Sequence, residues 1–175
     1  MSVSNAVPKD VEPARADTGS GQFLTFVLAG EQYGVDILRV QEIRGWQPVT
    51  RVPNAPAHML GVLNLRGTIV PIIDMRMRFR LSNVEYAPTT VIIVLSVQGA
   101  NGTHVFGIVV DSVSDVLDVQ ARDVKTKPDF GAAVNTDFIS GLVTVGERMI
   151  MLLDIDKLLS ADELAALAQV GGRSQ

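Results

Sequence analysis

The stretch Gly61-Val-Leu-Asn-Leu-Arg-Gly-Thr-Ile-Val-Pro-Ile-Ile-Asp74 recurs in register as Gly141-Leu-Val-Thr-Val-Gly-Glu-Arg-Met-Ile-Met-Leu-Leu-Asp154. The offset is 80 at both ends (141 − 61 and 154 − 74). Glycines and aspartates match as well as apolar residues, which favours duplication over the alternative of chance likeness between Val/Ile-rich strands. Upstream, Tyr33-Gly34-Val35 lies on Phe106-Gly107-Ile108 at offset 73, so the second copy carries a seven-residue insertion (80 − 73) between its blocks. Each copy reads as strand, turn, strand, a variable stretch, then a glycine-led hairpin ending in aspartate.

Working outward, strand-like segments dominate. Phe23–Leu28, Ile69–Ile73, Val91–Val97, Val105–Val110 and Met149–Leu153 are rich in β-branched and aromatic residues. Apolar runs this continuous fit strands buried on both faces. Turn residues separate them, as in Gly30-Glu31-Gln32, Gly67-Thr68 and Gly146-Glu147. The hexad Gln98-Gly-Ala-Asn-Gly-Thr103 holds Asn-Gly and folds its two flanking strands into a hairpin. About five short strands per copy predict an all-β chain of two small barrels sharing an interface, since closure removes exposed edges. Helices are expected only around Asp36–Ile43, where Asp36 can cap the first turn, and at the C-terminus. There Ser160-Ala-Asp-Glu163 is a capping box ahead of Leu164, Leu167 and Ala168.

Composition narrows the chemistry. The 175 residues include no cysteine, which excludes disulfides, iron–sulfur clusters, thiolate zinc sites and cysteine nucleophiles. Mean hydropathy is +0.26, high for a soluble protein. Yet the longest uncharged stretch, Tyr86–Val110, is broken by the turn hexad, so no membrane span or insertion is expected. Residues 1–21 hold Pro8, Pro13 and five charged residues, and read as a disordered tail rather than a signal peptide, predicting a cytoplasmic protein. A net charge of −4 and 5% aromatics argue against nucleic acid as a partner.

That modest net charge is a near-cancellation. Arg39 to Arg80 holds seven arginines, no lysine and the acids Glu42 and Asp74, a balance of +5. Leu81 to Ser160 holds ten acids and five bases, a balance of −5. The asymmetry predicts two differently charged faces. Arg76-Met-Arg78-Phe-Arg80 alternates as a strand would, either an edge protected by charge or a docking patch.

No catalytic constellation is present. A phosphate-binding loop, a dinucleotide fingerprint, a His-Glu-x-x-His helix and a Gly-x-Ser-x-Gly elbow are all missing. His58 and His104 have no nearby ligand or acid–base partner in sequence and read as ordinary surface or turn residues. The duplicated Asp74 and Asp154 invite comparison with a two-lobed aspartic protease. They lack the Asp-Thr-Gly loop, however, and Asp17-Thr-Gly19 occurs only once, in the polar tail. Both read better as caps of the turn after a strand. No metal or cofactor is expected.

With these motifs set out, a resemblance appears. Phe23-Leu-Thr-Phe26, Tyr33-Gly-Val-Asp-Ile-Leu-Arg-Val-Gln-Glu-Ile43, Gly61 through Arg76, and Gly107-Ile-Val-Val-Asp-Ser-Val-Ser-Asp-Val-Leu117 resemble the CheW family of bacterial chemotaxis coupling proteins. The likeness runs from about Gln22 to Leu167. It implies two five-stranded SH3-like barrels side by side. The implied division is a first subdomain over 22–84, a second over 88–159 and a C-terminal helix and tail over 160–175, with strands open to exchange between subdomains. It further implies a non-catalytic adaptor joining the cytoplasmic tips of chemoreceptors to the regulatory domain of the histidine kinase CheA.

The same resemblance places residues. Ile37, Val40, Val113 and Val116 are expected to wall a receptor groove, ordinary core packing being their alternative. Glu42 and Arg66 are charged within apolar motifs, where burial without a partner would be costly. Arg66 suits a receptor carboxylate, and Glu42 a partner's arginine, or the two pair with each other. Val91 and Phe130 match family positions near kinase contacts. Trp46 divides between core packing and partner contact. Thr144-Val-Gly146-Glu147 replaces Asn64-Leu-Arg66-Gly67 in the second copy, so Arg66 has no duplicate.

Overall fold

The computed structural model describes residues 21–55, 58–79, 86–99, 102–126 and 138–158. Ten strands run β1 Gly21–Leu28, β2 Glu31–Asp36, β3 Val40–Gly45, β4 Met59–Leu65, β5 Thr68–Asp74, β6 Val91–Gly99, β7 Gly102–Val110, β8 Ser112–Val119, β9 Ile139–Val145 and β10 Arg148–Leu153. They form two five-stranded sheets, ordered β8-β1-β2-β10-β9 and β3-β6-β7-β5-β4. The chain is mostly β, as its strand-rich sequence predicts. The ladders leave β8 and β9 as edges of one sheet, and β3 and β4 as edges of the other.

Each sheet takes strands from both repeats. The first repeat's β1–β2 hairpin joins the second repeat's β8, β9 and β10, and the second's β6–β7 hairpin joins the first's β3, β4 and β5. The repeat offsets reappear in the pairing. Leu152 lies beside Gly34 in the parallel pair β10/β2, and Ile72 beside Gly107 in the parallel pair β5/β7. A Cβ at Gly34 would lie 3.2 Å from Leu152 Cδ2, and one at Gly107 would lie 2.8 Å from Ile72 Cδ1. The matched glycines therefore do the same work, letting an aliphatic side chain from the other repeat cross the strand. Likewise Thr50 bridges Val62 and Lys125 bridges Leu142, each by a reciprocal pair of backbone hydrogen bonds. Gly61 and Gly141 precede those two bridges and admit the approaching segment.

Strands buried on both faces explain the high hydropathy. Ile93, Leu95 and Val97 of β6 enter a core shared by the two sheets, with Phe26, Tyr33, Phe106 and Ile108. Ile92 and Val94, facing the other way, enter a core of the second sheet alone with Leu63, Val70 and Ile72. The first sheet has its own counterpart in Phe23, Val119, Val143, Ile150 and Leu152. Three cores stacked across two sheets need apolar side chains on alternate and intervening positions alike.

Three local expectations change. Asp36–Ile43 is not a helix. Ile37–Arg39 form a 3-10 turn, capped by the Asp36 side chain accepting from the Leu38 N–H at 2.9 Å, and Val40–Gly45 continue as β3. Six residues of alternating burial outweigh the helical reading, because β6 offers Val40–Gly45 a pairing partner. Met75–Arg78 form a helical turn, not a strand, because Asp74 accepts from the Arg76 and Met77 N–H groups at 2.9 and 3.3 Å. The Gln98–Thr103 turn is tighter than read: Gln98 pairs with Thr103 and Gly99 with Gly102, extending the β6–β7 ladder. Residues 1–20, Arg80, Phe130 and the C-terminal capping box lie outside the described residues, while Gly21, read as the end of the tail, begins β1.

Candidate functional site

β3 alternates half-buried Val40, Glu42 and Arg44 with exposed Gln41, Ile43 and Gly45. Alternation puts Glu42 and Arg44 on one face, where Arg44 Nη1 donates to Glu42 Oε2 at 2.9 Å. Arg66 reaches the other carboxylate oxygen from the β4–β5 turn. Its backbone φ is 53°, a region few non-glycine residues adopt, and Gly67 follows at 91°. Asn64 Oδ1 accepts from the Gly67 N–H at 2.8 Å and fixes the turn. The second repeat puts Gly146, φ 62°, at the place of Arg66. Hydrogen bonds from Arg66 first and Arg44 second hold the Glu42 carboxyl below the ordinary carboxylate range, and Glu42 in turn holds Arg66 charged.

This cluster spans the seam between β3 and β4, the two edges of its sheet. Of the sequence alternatives for Glu42 and Arg66, the internal pair is formed. Arg66 still exposes 71% of its side chain. In the other sheet an open cleft of about 300 Å³ lies between β8 and β9, lined by Leu117, Val119, Val143 and Val145 together with the charged Asp118, Arg122, Asp123 and Lys125.

The apolar candidates divide. Ile37, Val40, Val91 and Val113 are half-buried against the shared core, while Val116 on edge strand β8 is exposed. Four further large apolar or aromatic side chains are exposed without a signal in the sequence reading: Leu38, 85% accessible in the 3-10 turn, Ile43 on β3, Tyr86, and Met149 on β10. A strand reading of Val40–Gly45 would have exposed Ile43 and joined Arg44 to Glu42. Trp46 is half-buried against the second sheet's core and stacks on Tyr86, ring centroids 4.1 Å apart.

The charge asymmetry also finds a structural use. Arg39 grips Asp156 with Nη1 to Oδ1 at 2.8 Å and Nη2 to Oδ2 at 2.5 Å. Arg76 grips Asp111 with Nε to Oδ1 at 2.8 Å and Nη2 to Oδ2 at 2.6 Å. Both pairs join an arginine of the first repeat to an aspartate of the second. Positions 76 and 156 are repeat equivalents (156 − 76 = 80), while offset 73 sets Arg39 against Ser112 (39 + 73), so the second clasp resembles the first with its charges exchanged and one end a residue out of register. Each clasp also holds a link between the sheets: Arg39 sits between β2 and β3, Asp111 between β7 and β8. Part of the +5 and −5 is thus spent inside the molecule.

The duplicated aspartates are caps. Asp74 takes the two N–H groups named above and the Tyr86 hydroxyl at 3.0 Å, and Asp154 takes the Asp156 N–H at 3.1 Å. Among the described residues no three His, Asp or Glu side chains gather as metal ligands, and no helix is long and apolar enough to cross a membrane. What the surface offers is docking chemistry: an arginine on an edge seam and isolated exposed aliphatics.

Comparison with known proteins agrees. Residues 22–163 match the model of the CheW-like domain. The chemotaxis protein CheW of Klebsiella aerogenes is 48% identical over 160 residues, spanning 91% of this chain and 94% of that protein. The chemotaxis protein CheW of Rhizobium meliloti is 37% identical over 148 residues, spanning 85% of this chain and 93% of that one. Among solved structures, the scaffolding protein TtCheW of Thermoanaerobacter tengcongensis superposes with a TM-score of 0.73 at 27% identity, over 82% of this chain and 97% of its own. The duplicated strand frame, the swapped sheets and these matches lead to one conclusion: the chain belongs to the CheW family.

Proposed function

We propose that this chain is a non-catalytic adaptor of chemotaxis signalling, coupling transmembrane chemoreceptors to the histidine kinase CheA within membrane-associated receptor arrays. The observation that carries the reading is the 48% identity, over nearly the whole chain, to a protein named for chemotaxis. In this reading each sheet, with its own small core, closes as an SH3-like barrel. The receptor's helical tip docks between the barrels, against Ile37, Val40, Val113 and Val116, with the exposed Arg66 offering a second hydrogen-bonding edge to a receptor carboxylate. Glu42 holds Arg66 ready. CheA's regulatory domain docks near Val91 and Phe130. A protein of two similar halves suits this task, because each half presents a related surface to a different partner.

The test is Arg66→Glu. Arg66 is mostly exposed, so the variant is expected to fold with an unchanged melting temperature and to lose capture by receptor signalling fragments. Unchanged capture by the folded variant would remove Arg66 from the receptor surface.

A further inference from the structure

Two costly features of the first repeat converge on one carboxylate. Arg44 is half-buried on β3, and its Nε is enclosed with no hydrogen-bond partner among the described residues. A buried donor left unpaired lowers stability. Arg66 holds a left-handed backbone, φ 53°, that a glycine would adopt without strain. Both arginines bind Glu42, each with one nitrogen on one oxygen: Arg44 Nη1 on Oε2 at 2.9 Å, and Arg66 Nη2 on Oε1. The second repeat does without the trio. Offset 73 sets Asp115 against Glu42 and Leu117 against Arg44 (42 + 73 and 44 + 73), and offset 80 sets Gly146 against Arg66 (66 + 80). Asp115 turns instead to Thr25, whose hydroxyl donates to it at 2.9 Å, and Leu117 packs on the first sheet's own core. One sheet therefore forms without these charges. Local costs kept in only one of two like halves mark a working site rather than a folding need.

We propose that Arg44 is a positioning residue that reserves Arg66 for a carboxylate of the partner. By occupying Oε2, Arg44 leaves Glu42 a single oxygen for Arg66. Arg66 is then held by one nitrogen, while its Nε and Nη1 have no partner among the described residues and most of its side chain stays exposed. Without Arg44, the Glu42 carboxylate can turn and take the Arg66 fork with both oxygens. That stronger bidentate grip would occupy the edge a partner needs. Two guanidinium charges on one carboxylate also leave the cluster with a surplus positive charge, which favours an acidic partner surface. The proposal rests on the adaptor reading above and adds the residue that keeps Arg66 available.

The experiment uses the full chain. Arg44→Leu, which installs the second repeat's residue, is compared with Arg44→Lys, Arg66→Ala and Arg44→Leu/Arg66→Ala. Co-sedimentation with receptor signalling fragments and the melting temperature are read for each. Arg44→Leu should weaken receptor capture about tenfold, as loss of a charge-assisted hydrogen bond does, with a melting temperature at or above that of wild type. Arg44→Lys, which lacks Nε but still offers Glu42 a donor, should keep capture. Beside Arg66→Ala, Arg44→Leu should add no further loss, because it acts through Arg66. Full capture by Arg44→Leu, a lysine variant as weak as the leucine one, or losses that add in the double variant each overturn the positioning role. A lowered melting temperature or failure to fold in Arg44→Leu overturns it as well, since Arg44 would then be ordinary support for the fold. Wild-type protein that captures no receptor fragment overturns the adaptor reading itself. The role of Arg44 is then decided by exchange of the Arg66 side-chain N–H protons with water, followed by heteronuclear NMR. Arg44→Leu should slow that exchange, and an unchanged rate would overturn the proposal.

Discussion

Gly61→Ala should destabilise the protein far more than Gly34→Ala, although both glycines are buried strand positions. A Cβ at Gly61 would lie 2.1 Å from the Thr50 carbonyl oxygen and 2.8 Å from its carbon. That obstacle is backbone, and Thr50 is tied to Val62 by hydrogen bonds of 2.9 and 2.8 Å. Relief requires breaking the bridge. Two hydrogen bonds at about 1 kcal/mol each, with overpacking of about 1–3 kcal/mol, give a loss of roughly 3–5 kcal/mol. At Gly107 the contacts are side-chain ends, Ile72 Cδ1 at 2.8 Å and Ile92 Cγ2 at 2.9 Å, so rotamers absorb part of the clash and the loss is about 1–3 kcal/mol. At Gly34 the closest contact is 3.2 Å, to Leu152 Cδ2, and the loss is about 1 kcal/mol, partly offset by the unfolded-state gain of Gly→Ala. Urea titration followed by far-ultraviolet circular dichroism and Trp46 fluorescence gives the order. At a slope of roughly 2 kcal/mol per molar, Gly61→Ala should lower the midpoint by about 2 M. A Gly61→Ala midpoint at the wild-type value, or above that of Gly34→Ala, would refute the matched close approaches on which the repeat's geometry rests.

Arg76→Ala should cost about 1–3 kcal/mol at pH 7, between exposed and buried ion pairs, because the Arg76 and Asp111 side chains are 18% and 26% accessible. Burial alone would raise the Asp111 carboxyl, but hydrogen bonds from Arg76 and the Ala29 N–H outweigh it and hold it below its ordinary value. The folded state therefore takes up this proton less readily than the unfolded chain. The stabilisation is complete above about pH 4 and is lost as pH falls through the lower folded value, so the melting-temperature gap between wild type and Arg76→Ala should narrow from pH 7 to pH 3. Tyr86 behaves in the opposite sense. Burial, then the charge and hydrogen bond of Asp74, push its hydroxyl up to about 12. Its stabilisation is complete below about pH 10 and is lost as pH rises toward the folded value, so wild type should lose stability over that alkaline span and Tyr86→Phe should lose less.

The repeat was legible because its conserved spacing carries residues with backbone duties. Glycines mark close approaches and aspartates mark caps, so Asp74 and Asp154 were read correctly from sequence alone. The exchange of hairpins between sheets was not legible in detail: parallel pairs such as Ile72 with Gly107 join residues far apart in the chain, and neither partner's local pattern names the other. Asp36–Ile43 misled for a local reason. A capping aspartate followed by Ile, Leu and Val fits a helix start as well as a one-turn crossover into a strand. The same misreading hid Arg44, whose place beside Glu42 needs the two-residue period of β3. Charge counting showed the imbalance between the halves. Only the folded chain shows that clasps of opposite polarity, Arg39 with Asp156 and Arg76 with Asp111, spend it across the repeat boundary.

The central claim is that the chain transmits by docking, without turning over a substrate. The direct measurement is CheA autophosphorylation in the presence of membranes bearing chemoreceptors, with and without this chain. Sedimentation of the kinase with the membranes, and a rise in its activity, should both require the chain, and both should weaken with Arg66→Glu. Kinase activity and sedimentation that are the same with and without the chain, in a cognate set, would contradict the account.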